Sequence, residues 1–505
     1  MNRFIKDSFL CFDTSKLASR FFILAREIDK KFGAVYLINE IAKELGIAKA
    51  LGNSYDGKLA MLQIIHCCID QGSCLSAART AQFRATSEVL DIDRKTTEDD
   101  LYKNLYWLFK NQESIEKKLF RYTYGDNIPE IFLYDATSSY FEGVCNEMAA
   151  FGHNKDKKRG KMQVVAGLLT DDSGDPTAIR LFKGNTMDFH TVAEQIKILT
   201  EKYGCKRVTF VGDRGMIKSK QVKELESEDF YYITAITKPQ IEKMIKEKTV
   251  QIGMFDNKLR EIEHEGVRYI LRKNLYRAKE VRQNRKERKA KVVNLLIKKN
   301  QYLHEHKRAK VETAIKEIKK KIGNLKLSFC LSIEVSEENQ RELILKEDGE
   351  TLSKTMQLDG CYVIKSNLPK EVSKEVLHDR YKDLKYVEEG FRTLKTGHLE
   401  FRPWFVQTEE STRGRAFVLM LAYKITRYLK EKWRDLDITV EEGISMLDGL
   451  CLMKITGKDK IKLMEVPKPN EMMSKLLKLA EVKLPDMYPY REGNVYSRVK
   501  LTDRK

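Results

Sequence analysis

The sequence predicts an α/β chain whose sheet-forming core is interrupted by a long insertion and preceded by an all-α segment. Three observations predict it. Up to about residue 128 apolar residues recur at helical spacing with almost no proline; from 129 they gather into short runs closed by turn formers; and from about 240 to 365 a strongly basic stretch separates those runs from further helices. With 505 residues the chain exceeds one ordinary domain of roughly 100–200 residues, so several units are expected.

The first segment is expected to form helices around 15–32, 35–51, 57–71 and 98–120. Within it, Leu37 to Leu51 carries the turn glycine Gly46 and the following Ile47 of a helix-turn-helix unit, a pattern shared with any helical hairpin that turns at glycine. Next, Glu130 to Asp135 is an apolar run ending in an acid, Met162 to Thr170 is a second strand, and the turn-rich Asp171 to Pro176 leads into a third at Ala178 to Phe182. Asp188 to Tyr203 reads as a helix with Asp188 as its N-cap and Gly204 beyond its end. Arg207 to Asp213 returns to strand and again ends in an acid. Three strands, a helix and a further strand are the order expected of a ribonuclease H-like core, and strand carboxyl ends in an α/β sheet converge on one crevice.

The insertion is densest in charge from 277 to 325, where seventeen Lys/Arg face five Glu and no Asp, so about +12 of the chain's +19 sits there. Its period is helical, and a surface so one-sided in charge is expected to track phosphates. Strands are expected at Leu327 to Val335, Arg341 to Leu345 and Gly360 to Lys365. Tyr381 to Lys395 then forms a two-faced helix, with Leu384, Val387, Phe391 and Leu394 on an apolar stripe and Tyr381, Glu388, Arg392 and Lys395 on its neighbour. Ser411 to Lys430 and Val440 to Met453 are helical, and the tail from about 460 shows no pattern. The expected boundaries are 1–128, 129–239, 240–365, 366–460 and 461–505.

Lys and Arg outnumber Asp and Glu by 93 to 74 and the pI is near 9.2, which favours a polyanionic partner, nucleic acid first. Nine cysteines without a CxxC pair or regular Cys/His spacing indicate neither a zinc site nor a disulfide framework and fit a reducing, cytoplasmic setting. No apolar run is long enough for a membrane span, and Met1 to Asp7 lacks a signal-peptide core, so no membrane partner is expected.

Asp135, Asp213 and Glu388 are the best acid trio, each closing or riding an apolar element that holds it in place. Three carboxylates can flank two divalent cations, which is what in-line displacement at a phosphodiester requires. Glu389 lies about 100° round the helix from Glu388 and off the line of cations. Asp171, Asp172 and Asp175 sit in a turn.

This trio, the turn Gly212-Asp213-Arg214-Gly215-Met216, and Tyr381, Glu388 and Lys395 at the spacing of a Tyr, Arg, Glu, Lys signature resemble the DDE transposases of bacterial insertion sequences in the IS-four superfamily, in the long-chain branch with a β-rich insert. Leu384 stands where that signature has arginine. Similar local sequence runs from Gly152 to Leu169, at Gly184-Asn185-Thr186 and at Leu399 to Pro403, so the resemblance covers roughly 130–425.

The resemblance implies a ribonuclease H-like catalytic core, a helical DNA-binding N-terminal domain, and two Mg2+ per active site, replaceable by Mn2+, held by Asp135, Asp213 and Glu388. It implies DNA contacts from Tyr381, Arg392, Lys395 and Arg214, with Lys157, Lys158 and Arg159 on the loop between the first two strands added as a basic patch beside the crevice. It also implies double-stranded DNA as partner, a homodimer in the DNA complex, a nucleoid-associated bacterial location, and cut-and-paste transposition. A nuclease of the same fold that does not transpose, and a DNA-binding derivative without catalysis, are the competing functions. Trp404 is expected in the core rather than as a stacking platform.

Overall fold

In the computed structural model of the chain, the described residues are 23–155, 158, 160–396, 399–457, 462–490 and 494–498. The chain divides into two compact units, 1–230 with 382–505, and 231–381.

A helix was expected around 15–32; residues 15–22 lie outside the described residues, and the described part is a strand, β1 (Ile23–Lys31), which pairs antiparallel with β12 (Cys451–Gly457). An all-α N-terminal segment is therefore not what forms. The partner strand lies more than 400 residues away, so no local period could announce the pairing. Helices follow at α1 (Gly33–Glu44), α2 (Ile47–Leu51), α3 (Tyr55–Ile69), α4 (Cys74–Thr80), α5 (Thr86–Leu90) and α6 (Glu98–Tyr124). The suspected helix-turn-helix is α1 and α2 turning at Gly46, and α2 is five residues long with Ile47, Ala50 and Leu51 buried. One such turn, facing inward, is too short to present successive side chains to a DNA groove. The N-terminus of α6 is held by a capping box, the Thr97 N–H donating to Asp100 Oδ2 at 2.9 Å.

The strands β2 (Ile131–Tyr140), β3 (Gln163–Asp171) and β4 (Pro176–Lys183) form an antiparallel meander, and β5 (Thr209–Gly212) pairs parallel with the other edge of β2. The order is β4-β3-β2-β5. β3 is buried along its whole length, as a central strand covered on both faces should be. Between β4 and β5 the expected helix is a tight turn at Asp188–Thr191 followed by α7 (Val192–Lys197) and a wider turn to Lys202. Beyond β5 lies α8 (Ser219–Ser227).

The second unit holds β6 (Tyr231–Ala235), α9 (Lys238–Lys246), β7 (Arg260–His264), β8 (Val267–Lys273), α10 (Leu275–Glu305), α11 (Val311–Asn324), β9 (Leu331–Val335), β10 (Leu343–Glu347), α12 (Gly349–Gln357) and β11 (Cys361–Ser366). Its strands β6, β11, β8 and β7 are neighbours in that order, each pair antiparallel. The hairpin of β9 and β10 packs its Leu331, Ile333 and Leu343 against Val292 of α10 and Ile318 and Ile322 of α11. The chain passes from this unit back to the first along α13 (Lys374–Lys382).

The returning chain forms α14 (Leu384–Thr396), the long buried α15 (Glu409–Lys432) and α16 (Val440–Asp448). The helix expected from 440 to 453 ends early because Cys451 enters β12. The patternless tail adds β13 (Lys462–Glu465), α17 (Glu471–Leu479) and β14 (Met487–Tyr488), completing a second small sheet ordered β1-β12-β13-β14. α15 packs on α3, α6, β4 and α14, so the helical N-terminal segment and the strand core share one interior.

Candidate active site

β2 and β5 run parallel with Tyr134 opposite Gly212 as their last pair. Asp135 follows within β2 and Asp213 just past the end of β5, so the two acids fall at the same level, where the parallel pairing stops. β2 does not stop at Asp135, as the run of apolar residues suggested. It continues to Tyr140, paired only with β3 on that stretch, with Asp135 opposite Leu168. The end that matters is that of the short strand β5.

Asp135 is half-buried. Its Oδ1 accepts the Ala136 N–H at 2.8 Å. Burial pushes its carboxyl up to about 7, with Lys155 and the Ala136 N–H pulling the other way and the carboxylates of Asp213 and Asp188 adding to the rise. Asp213 and Arg214 are exposed, while Met216 and Ile217 behind them are buried, and the Met216 N–H closes the turn on Asp213 O at 2.9 Å.

Asp188 is a residue that reading the sequence as a helix cap missed. Its side chain caps nothing; Lys155 Nζ lies 3.0 Å from its Oδ2 and donates to Ala136 O at 2.5 Å. The Lys155 N–H donates to Ser138 Oγ at 2.8 Å, fixing the loop over β2. Asp188 is anchored from below: the Tyr134 hydroxyl donates to Thr191 Oγ1 at 2.7 Å, and Thr191 Oγ1 donates to Asp188 O at 2.6 Å. That chain needs Gly167, because a Cβ there would lie 2.1 Å from the Tyr134 hydroxyl. The only sequence signal for Asp188 was its place just after Gly184-Asn185-Thr186.

The apolar stripe of the signature helix is real: Leu384, Val387, Phe391 and Leu394 are all buried, and α14 packs on β2, β3 and α15. Leu384 is thus a core residue. Gly390 makes the approach close, since a Cβ there would lie 3.1 Å from both Leu168 Cδ2 and the Tyr423 hydroxyl. Glu388 and Arg392 are exposed and Lys395 is half-buried. Glu389 turns to the other side, where it pairs with Lys430 and lines a cavity of about 670 Å3 with Tyr386, Tyr423 and Arg427.

The expected helix is not continuous. Asp383 breaks it, leaving Tyr381 on α13 and Glu388, Arg392 and Lys395 on α14, so the four do not share one unbroken stripe. Of the loop cations, Lys158 is exposed with its Nζ 6.0 Å from the Tyr140 ring centre, whereas Lys157 and Arg159 lie outside the described residues. Arg402 covers the same ring at 4.1 Å. Trp404 is buried and donates to Ser139 Oγ at 3.2 Å. Among the described residues no three His, Cys, Asp or Glu are gathered closely enough to hold a metal ion as they stand. The donors where the parallel pair stops are carboxylate oxygens, the hard ligands that suit Mg2+.

Fold and site together define a mixed α/β protein with two acids placed where a parallel pair of strands stops pairing. The family model described as "Transposase DDE domain" matches residues 126–425, and the chain belongs to that family. A comparison with curated proteins found no match. Among solved structures, a piggyBac transposase synaptic complex with hairpin DNA is similar at 9% identity and a TM-score of 0.38, over 78% of this chain and 70% of that one. A Mos1 transposase paired-end complex with the left transposon end is similar at 14% identity and a TM-score of 0.16, over 36% of this chain and 58% of that one. These two likenesses are too slight to carry any argument. No helix among the described residues is long and apolar enough to cross a membrane.

Proposed function

We propose that this chain is the transposase of a bacterial insertion sequence, cutting DNA at the element's ends and joining the freed 3′-hydroxyl to target DNA. The observation that carries the reading is the placement of Asp135 and Asp213 at the ends of the parallel pair β2 and β5, within the region matched by the DDE domain. The order β4-β3-β2-β5, with β5 parallel to β2, supports a ribonuclease H-like core. The unit 231–381 is then an insertion between the second acid and the glutamate.

Asp135, Asp213 and Glu388 are the residues that would hold Mg2+, or Mn2+ in its place. Bound there, the cations would neutralise charge at the reacting phosphate and make a water or a DNA hydroxyl a better nucleophile. The chain's own part is to hold the acids rigidly. Tyr134, Thr191 and the packed sheet fix one side of the crevice, and the apolar face of α14 presents Glu388 and Arg392 on its exposed side. Arg392, Lys395, Arg214 and Tyr381 would contact backbone phosphates, with Lys157, Lys158 and Arg159 beside them. The exposed cations of α10 and α11 would make contacts of their own to duplex DNA, and two copies of the chain would bring two element ends together. The N-terminal segment 1–128 would contribute DNA contacts, though not through α2.

The test is incubation with the inverted repeats that flank the gene, with Mg2+ and with EDTA. Cleavage followed by strand transfer, abolished by EDTA and by Asp213→Ala, is the expected result. Cleavage without transfer of supplied cut ends would indicate a nuclease only, and cleavage that survives EDTA would overturn the metal-dependent mechanism.

A further inference from the structure

Among the described residues four arginines are buried, Arg84, Arg180, Arg268 and Arg415, and the first three meet carboxylates. At Arg84 and Arg268 the contact has one form. Nε and Nη2, the two nitrogens on one edge of the guanidinium, donate side-on to both oxygens of Asp448 and of Glu261. Arg415, on α15 and 4 % exposed, makes no ion pair with any described residue. Its Nη1 donates to the Gly72 carbonyl at 3.1 Å, and the same edge, Nε and Nη2, is buried with no acceptor from the chain. Asp70, two residues before Gly72, already pairs with Arg84. A guanidinium taken out of water without a counter-charge is strongly destabilising, so this edge calls for an anion.

A second buried group approaches the same place from α3. His66 is 6 % exposed and its Nε2 also has no hydrogen-bond partner. Gly72 stands between the two: its carbonyl is on Arg415, and a Cβ on it would lie 2.8 Å from His66 Nε2. The Thr80 hydroxyl donates to Ser76 O at 3.0 Å, so the His66 Nδ1–H donates to Thr80 Oγ1 at 3.2 Å and Nε2 is left as an acceptor. Burial lowers the His66 imidazole to about 4, with Asp70 pulling the other way and Arg84 and Arg415 adding to the fall, so the ring is neutral at pH 7. The Phe405 ring, 44 % exposed, has its centre 5.3 Å from the Arg415 guanidinium carbon, which places the guanidinium one side chain below the surface.

We propose that Arg415 and His66 form a binding site for a protonated oxyanion, with phosphate as the species that fits. Two P–O oxygens would accept from Nε and Nη2 side-on, as the carboxylates of Asp448 and Glu261 do at the other arginines, and a P–OH would donate to His66 Nε2. The bound ion balances the buried charge and ties the loop 70–73 to α15. Water brings no charge to Arg415, and sulfate or a DNA phosphodiester, which carry no proton at pH 7, leave Nε2 without a donor. The site uses none of the acids Asp135, Asp213 and Glu388, so it stands independently of the transposase reading.

The experiment is equilibrium dialysis of the full chain against radiolabelled phosphate at pH 7, in about 0.3 M KCl so that exposed cations are screened. Melting curves are recorded in parallel with phosphate or with sulfate at equal ionic strength. The parent is expected to take up phosphate saturably and to melt about 2–4 °C higher at saturation, with a smaller rise in sulfate. Arg415→Met, which keeps the length of the side chain and removes its charge, should abolish both the uptake and the rise. If that variant does not fold, Arg415→Lys carries the test: it keeps the charge without the two-nitrogen edge and should weaken phosphate uptake by roughly tenfold, the loss expected for one charged hydrogen bond. No saturable uptake by the parent, or uptake unchanged in either variant, would overturn the proposal. Sulfate binding as tightly as phosphate would overturn it as well, by removing the protonated ligand and His66 from the site.

Discussion

The acid crevice of the first unit and the basic helix pair of the second are built on opposite principles. The crevice places few charges and fixes them by position: a strand register, a carbonyl and a hydroxyl chain decide where Asp135 and Asp188 stand. The helices α10 and α11 carry many charges on a surface left mostly exposed, and pair several of them locally, as in Lys299 with Glu317 at 2.5 Å and Lys289 with Glu347. Even there one pair is sunk: the Arg285 guanidinium donates to both oxygens of the buried Asp359 at 2.8 and 2.9 Å, joining α10 to the loop before β11. In the crevice each charge matters singly. Along the helices only the sum does.

That contrast breaks first if single acids in the crevice prove dispensable. Asp213→Ala or Asp135→Asn should reduce cleavage of element ends by on the order of a thousandfold or more, because even residues that merely orient a metal ligand cost about 10–100-fold when removed. Glu388→Gln should match them in a gel-based cleavage assay; wild-type cleavage by that variant would remove Glu388 from the trio.

A substitution with no charge at all should come next. Gly167→Ala drives a methyl into the Tyr134 hydroxyl and should cost about 1–3 kcal/mol by urea denaturation. Stability equal to the parent's would mean that the chain from Tyr134 through Thr191 to Asp188 is loosely held.

The pH response sharpens the same point. Because burial raises the Asp135 carboxyl in the folded protein, the folded state keeps its proton between about pH 4 and 7 while the unfolded chain has lost it. Stability of the metal-free protein should therefore be highest below the lower value and fall as pH rises through that window, by at most about 1.4 kcal/mol per pH unit for one proton. Asp135→Asn should flatten that fall in melts recorded across the window, and Mg2+ should offset it in the parent. A fall that persists unaltered in the variant would place its origin elsewhere.

On the basic helices the effect should be graded. Neutralising several Lys or Arg within 277–325 should reduce the salt dependence of DNA binding by about 0.9 in log–log slope for each phosphate that no longer meets a cation, whereas any one neutralisation should be hard to detect. An unaltered slope after five or six changes would reject this surface as the DNA track. Smallest of all, Glu389→Gln breaks a surface pair with Lys430 and should change stability by less than about 1 kcal/mol and leave cleavage in place.

Much of this was legible in the chain's own residues. The apolar runs ending at Asp135 and Asp213 are sheet elements, the stripe Leu384, Val387, Phe391 and Leu394 is buried, and Leu384 belongs to that stripe. Local periodicity suffices for these because burial of one face is set within a few turns or a few strand residues. It could not show that residues 23–31 form a strand with 451–457, that Asp383 breaks the signature helix, or that Asp188 faces Lys155 instead of capping a helix. The sequence by itself determined which segments are helix or strand where one face is continuously apolar, where the acids fall, and where the positive charge gathers. Only the tertiary structure decided which acids are neighbours and what each is paired with, because those distances are set by strand register and helix packing between segments far apart in the chain, and electrostatic coupling depends on distance and burial rather than on order along the sequence.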